Sequence, residues 1–138
     1  MAEYARPLPL PDLDTQAYWE GTQAHELRAQ RCSSCGRLRW PPQGFCPHCY
    51  AWDFNWTKLS HTGSIQSYVV VHQASAAFAD AVPYAVARVI IDNTAEAVIL
   101  TSSMTDVPWA EVNVGMRVEA VFDDVTPEVT LPRFRPVR

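Results

Sequence analysis

Cys32-Ser33-Ser34-Cys35 and Cys46-Pro47-His48-Cys49 constrain this chain more than any other stretch. They contain all four of its cysteines, set as two Cys-x-x-Cys pairs on either side of residues 36–45. Two residues between cysteines let one tight turn aim both sulfurs at a common point, and two facing turns complete a tetrahedron of thiolates. Gly36 after the first pair and Pro47 within the second suit such turns. The spacing predicts a closed structural zinc site with Cys32, Cys35, Cys46 and Cys49 as ligands. Two disulfides, or four free thiols, are the competing readings. The start at Met1-Ala-Glu-Tyr shows no basic or apolar export segment, so disulfides are not expected and the cytoplasm is the default location.

Four protein thiolates leave no open coordination position. The ion is therefore expected to scaffold a segment too short to build its own core. Iron in the same tetrahedron would give a rubredoxin-like redox centre, which a colourless purified protein would exclude.

A chain of 138 residues is one domain with an appendage, or two very small domains. Eleven prolines against five glycines predict stiff connections and few long helices. No apolar run reaches membrane-spanning length. The net charge of −4 is unevenly spread. Residues 1–27 carry Arg6 against five acids. Residues 28–58 carry Arg28, Arg31, Arg37, Arg39 and Lys58 against Asp53 alone. Residues 59–128 carry two arginines against nine acids, and 129–138 carry Arg133, Arg135 and Arg138 with no acid. The cysteine segment and the C-terminal tail are thus basic on an acidic body. The bland reading is a solvated Arg-rich ribbon. The functional reading is that ribbon and tail face one anionic ligand of nucleotide size.

Along the chain, Pro7, Pro9 and Pro11 predict an extended arm. Asp12 or Asp14 can cap a short helix from Thr15 to about Thr22, which must dock through Tyr18 and Trp19 because it is too short to stand alone. His25 to Cys32 reads as a strand, with Arg37 to Trp40 as its hairpin partner. Tyr50, Trp52, Phe54 and Trp56 alternate, predicting a strand over 50–58 with one aromatic face, either covering the ribbon or meeting a partner. Strands are further expected at 64–72, 84–91, 97–102, from Gly115 to about Phe122, and at 129–134. The alanine-rich stretch 73–82 reads as a loop with one helical turn, residues 110–112 as another turn, and Asp123-Asp124 as a turn between strands. Five short strands with a connector between the third and fourth favour a closed five-stranded OB-fold barrel, with an SH3-like barrel as the alternative. The chain therefore reads as mostly β. Its parts are an arm with a short helix (1–26), a zinc ribbon (27–58) and the barrel with its basic tail (59–138).

Several stretches carry a family resemblance: Tyr18-Trp19-Glu20-Gly21, Leu27 to Gly36, Trp40-Pro41-Pro42, Cys46 to Cys49, Gly63-Ser64-Ile65 with Tyr68 to His72, Pro83-Tyr84, Val114 to Val118, and Leu131 to Pro136. The chain resembles the small proteins that join a helical arm, a rubredoxin-like zinc ribbon and an OB-fold, known as domain of unknown function 35. Gln43 departs from a basic residue common after the double proline, and Tyr50 from a glycine common after the last cysteine. The resemblance implies an accessory subunit that binds thiolase-like enzymes, or accompanies hydratases and retro-aldolases, acting on acyl-CoA thioesters in lipid or steroid degradation. It also implies that coenzyme A or an acyl-CoA meets the basic segments, with Arg37, Arg39, Arg133 and Arg135 as the expected contacts. The arm around Trp19 and the tail around Phe134 are the expected partner surfaces.

Nothing in the residues reads as a catalytic set. The histidines (His25, His48, His61 and His72) form no triad pattern, and every cysteine is committed to the metal. Catalysis is assigned to a partner polypeptide. The alternative is single-stranded nucleic-acid binding, since ribbons and OB barrels both occur there. The acidic barrel and the scarcity of lysine argue against it.

Overall fold

A computed structural model describes residues 4–138. The first three residues of the predicted arm, and with them the reading of the N-terminus as free of a targeting segment, lie outside the described residues. The arm is extended through its prolines and ends in a turn closed by Asp12. Oδ1 of Asp12 accepts from the N–H of Thr15 at 2.9 Å and of Asp14 at 3.0 Å. Helix α1 (Gln16–Gln23) follows, one residue later than predicted. Tyr18, Gly21 and Thr22 form its buried face. Tyr18 packs its ring 4.8 Å from that of Trp40, so the helix docks on the ribbon. Gly21 permits this approach, because a Cβ there would sit 2.7 Å from Cδ of Arg28.

The ribbon is a three-stranded antiparallel sheet, ordered β2-β1-β3, of β1 (Arg28–Cys32), β2 (Leu38–Arg39) and β3 (Phe54–Lys58). The predicted strand over 50–58 is shorter at its start. Tyr50 lies in the left-handed region at φ 64, its N–H held by the carbonyl of Cys46 at 2.9 Å. The knuckle's turn thus breaks the alternation before the strand begins. Phe54 and Trp56 are half-buried, while Tyr50 and Trp52 are exposed. A glycine would adopt this φ without strain.

The second sheet, ordered β6-β5-β4-β7-β8, comprises β4 (Thr62–Val71), β5 (Tyr84–Ile91), β6 (Ile99–Ser103), β7 (Arg117–Asp124) and β8 (Thr130–Pro136). A parallel bridge between Met104 and Phe134 brings its ends together, giving a nearly closed barrel. The N–H of Thr105 donates to the carbonyl of Phe134 at 2.8 Å, reinforcing that seam. This is the OB-fold arrangement, in which the first strand pairs with both the second and the fourth. β4 serves two neighbours because its register shifts between Ile65 and Ser67, a bulge that bends the strand. Gly63 is needed where the sheets curl tightest: a Cβ there would lie 2.4 Å from the carbonyl oxygen of Ile90.

The turns at 76–78 and 109–111 are single 3-10 turns. Asp123-Asp124 is not a turn but the end of β7, in register with Leu131 and Thr130 of β8. Both carboxylates have partners there, Arg133 of the next strand for Asp123, and Thr130 of that strand with the distant His25 for Asp124. Leu27, Ala29 and Leu38 of the ribbon join Ile65, Val89, Val118 and Phe134 of the barrel in one core. Burial of these side chains supplies the main cohesive free energy, roughly 1.5–3 kcal/mol for each large one. Among the described residues, no helix is long and apolar enough to cross a membrane.

Candidate metal centre

The hairpin from β1 to β2 and the loop from Pro42 to Asp53 each present one knuckle. The four Sγ atoms all lie within 4.8 Å of one another. Cys32 and Cys49 are 3.5 Å apart, and Cys35 and Cys46 are 3.7 Å apart. A disulfide needs a bond of about 2.05 Å, so these sulfurs are unbonded. A tetrahedral zinc–thiolate site has sulfur–zinc bonds of about 2.3 Å, hence edges of about 3.8 Å. The spacing fits a zinc ion, held by Cys32, Cys35, Cys46 and Cys49.

The backbone prepares the sulfurs for a cation. The N–H of Cys35 donates to Sγ of Cys32 at 3.4 Å, and that of His48 to Sγ of Cys46 at 3.4 Å. The Cys35 N–H is the main reason the Cys32 thiol is drawn down to about 6. Burial opposes ionisation of Cys46, yet the N–H groups of Cys49 and His48 still hold it below the ordinary thiol value. Although the Ala51 N–H favours its thiolate, Cys49 is pushed up to about 11 by the sulfur of Cys32, burial and the other sulfurs. Four thiolates at this spacing repel one another, and a divalent cation removes that repulsion. Cys32 and Cys46 are buried while Cys35 and Cys49 are exposed, so the centre sits at the ribbon's rim. With four protein ligands it scaffolds the loops and offers no site for substrate.

The arginines that sequence reasoning singled out are placed apart. Arg37 is exposed and lines a cleft of about 450 Å³ between ribbon and barrel, with Arg31, His48 and the β5–β6 turn at Asn93 to Ala95. Arg39 is buried. Its Nε donates to Oε1 of Gln30 at 2.8 Å, and an Nη donates to the carbonyl of Gln43 at 2.9 Å. Its guanidinium also lies 4.6 Å from the centre of the Phe54 ring. Gln43 thus serves the ribbon through its backbone, and its N–H also meets Gln30 at 2.9 Å.

The basic tail is strand β8. Arg133 pairs with Asp123 at 3.0 Å and donates to Ser103 at 2.8 Å. Arg135 pairs with Glu119 at 3.0 Å. Phe134 is fully buried in the barrel, so the expected partner surface there is corrected: alternation on β8 points this ring inward. Trp19 is half-buried beside Pro9, Pro11 and Val129.

Sequence reasoning missed His25 and His61. His25 stacks on Phe122 at 5.2 Å and reaches Asp124 at 3.1 Å, while His61 meets the same ring edge-on. No local signal marks contacts between residues so far apart in the chain.

Two family descriptions match the chain: ChsH2, rubredoxin-like zinc ribbon domain, over residues 19–54, and ChsH2, C-terminal OB-fold domain, over 56–123. A probable enoyl-CoA hydratase alpha subunit of Thermomonospora curvata is 34% identical over 131 residues, covering 95% of this chain and 40% of that protein. A DUF35 domain-containing scaffold protein of Methanocaldococcus jannaschii is 36% identical over 93 residues, covering 67% of this chain and 64% of that protein. The chain thus spans well under the full length of these curated relatives. A solved structure described as Ltp2-ChsH2(DUF35) aldolase superposes with a TM-score of 0.84 at 32% identity, covering 94% of this chain and 98% of that one. A four-cysteine ribbon, a nearly closed five-stranded barrel and similarity over almost the whole length of a DUF35 chain make the same assignment: this protein belongs to the DUF35 family.

Proposed function

We propose that this protein is a non-catalytic accessory subunit of an enzyme that processes acyl-CoA thioesters, with a thiolase-superfamily, retro-aldolase or hydratase subunit as its partner. The observation that carries this reading is the end-to-end similarity to a DUF35 chain of an aldolase, 98% of whose length is covered. The similarity to a hydratase alpha subunit supports the same substrate class. The metal centre is consistent with it, because four thiolates saturate a tetrahedral ion and leave chemistry to another chain.

Coenzyme A is proposed to reach this subunit through its phosphates. Of the four arginines named from sequence, Arg37 is the best placed. It lines an open cleft beside Arg31, and among the described residues it has no carboxylate within ion-pair distance. Arg39, Arg133 and Arg135 hold internal partners and would have to exchange them to take part.

Co-expression with the acyl-CoA hydratase or aldolase subunit tests the main reading. A stable hetero-oligomer is expected, with turnover absent or much reduced when this chain is omitted. Unchanged activity and no complex would overturn it. An R37E variant that leaves assembly intact but raises KM for the acyl-CoA would support the phosphate contact, and an unchanged KM would remove it.

A further inference from the structure

We infer that the outer edge of β4, from Gln66 to Val71, receives an extended, uncharged strand of the partner subunit. This rests on the accessory-subunit reading above. β4 pairs with β5 along its length, but with β7 only at Thr62, Gly63 and Ser64. The N–H of Ile65 and the N–H of Gly115 add one further exchange with the 115–116 segment, and there the pairing stops. Beyond the bulge, the side of β4 away from β5 has no strand beside it.

The direction of the free groups follows from β5. The carbonyl of Ala85 accepts from the N–H of Met104 at 2.9 Å, so Ala85 turns its backbone away from β4. Its cross-strand partner Val70 must then turn its own N–H and C=O outward, because opposed residues in an antiparallel ladder are either both bonded to each other or both bonded away. Two residues back, Tyr68 opposite Ala87 does the same. Among the described residues, no hydrogen bond reaches these outward groups.

Side-chain exposure agrees. Tyr68 shares a sheet face with Ala87, which is fully buried, yet Tyr68 is 36% exposed. A core-facing ring is left open where a neighbouring strand would cover it. Val69 on the opposite face is 61% exposed. Free edges normally carry lysine, proline or inward charge to prevent pairing. Here residues 59–79 contain no Asp, Glu, Lys or Arg, so no charge on β4 itself guards the edge or pairs with a charged strand.

A second copy of this chain fits less well. Residues 59–138 carry nine acids against five arginines, so edge-to-edge pairing of two such barrels brings like net charge together. Six residues span only about 20 Å, a strip far short of the roughly 800 Å² per partner that a stable dimer needs. A heterologous subunit can supply the strand and bury further surface at the same time.

The test uses the complex of this chain with its acyl-CoA hydratase or aldolase subunit. Hydrogen exchange is followed at the amides of Tyr68 and Val70, free and bound. Strong protection on assembly is expected. Val70→Pro removes only the outward N–H and leaves the β4–β5 bonds in place, so it should weaken the complex roughly tenfold or more. Val69→Lys places a charge on the exposed face and should weaken it too. Retained zinc and an unchanged circular dichroism spectrum in both variants separate this from misfolding. A complex whose Tyr68 and Val70 amides exchange as in the free chain, or that tolerates both variants, overturns the inference while leaving the accessory reading intact. Concentration-dependent protection in the isolated chain assigns the edge to a second copy and also overturns it. Absence of any complex overturns the accessory reading itself, and this inference with it.

Discussion

The ribbon and the barrel solve the same problem by different means. The ribbon spans Arg28 to Lys58 with strands of five, two and five residues, and its own fully buried apolar side chains are few. Its loops are fixed by four sulfurs, and where a charge is buried, Arg39 is held by Gln30, a backbone carbonyl and the Phe54 ring. The barrel has no metal-ligating cluster among the described residues and is held by Ile65, Val89, Val118 and Phe134 at its centre. A short segment gains order from ligation where it cannot gain it from buried area. The difference teaches where each half is vulnerable, even though Leu27, Ala29 and Leu38 tie them into one core.

Metal removal should separate the two most sharply. Chelation forfeits a binding free energy on the order of 10–16 kcal/mol that folds such ribbons, and Cys46→Ser, which removes one of the four ligands, should act in the same direction. Amides of β1 and β3 are expected to lose exchange protection while those at Val89 and Val118 retain it. Simultaneous loss throughout would show that the shared core makes one cooperative unit, and the contrast would fail.

Phe134→Ala attacks the other half. This side chain is fully buried at the seam between β6 and β8. Its truncation should cost about 3–5 kcal/mol in chemical denaturation, with zinc stoichiometry unchanged under native conditions. Zinc loss at the same denaturant concentration as barrel unfolding would again argue for one unit.

Gly63→Ala sharpens the comparison within the barrel. The new methyl would press on the Ile90 carbonyl and on Cγ1 of Val89 at 2.8 Å, both on a strand that cannot give way. A loss of about 1–3 kcal/mol is expected. Gly36→Ala in the ribbon meets no neighbouring atom and should act only through its φ of +78.

The smallest effect concerns Asp92. Hydrogen bonds from Arg117, and then from Thr62, hold its carboxyl at about 2 against an ordinary 3.8. A depressed folded value stabilises the fold above the ordinary one, and that contribution fades as pH falls from about 4 to about 2. Asp92→Asn should therefore cost under about 1 kcal/mol at pH 6, because the pair is partly exposed, and progressively less as pH falls below about 4. A constant difference across that range would assign the effect to packing.

By itself the sequence determined the four-cysteine cluster and roughly where along the chain the strands lie. Cys-x-x-Cys spacing is a local geometric statement, and Pro83 with the turn residues Asp92-Asn93-Thr94 bounded the strand Tyr84–Ile91 to the residue. Sheet closure also followed, since five short strands with exposed edges favour a barrel. Only the tertiary structure decided which charges are free. Arg39 looks as available as Arg37 in the chain, yet one is buried on Gln30 and the other opens onto a cleft. The basic tail became a strand whose arginines meet acids of β7, partners ten and sixteen positions away. The aromatic run that promised a strand broke at Tyr50 because the metal knuckle demands a left-handed residue there. The unprotected edge of β4 was equally invisible, since β4 reads as one uninterrupted strand. Periodicity tells which face a residue shares; it cannot tell where a neighbouring strand ends, because that depends on pairing between distant segments.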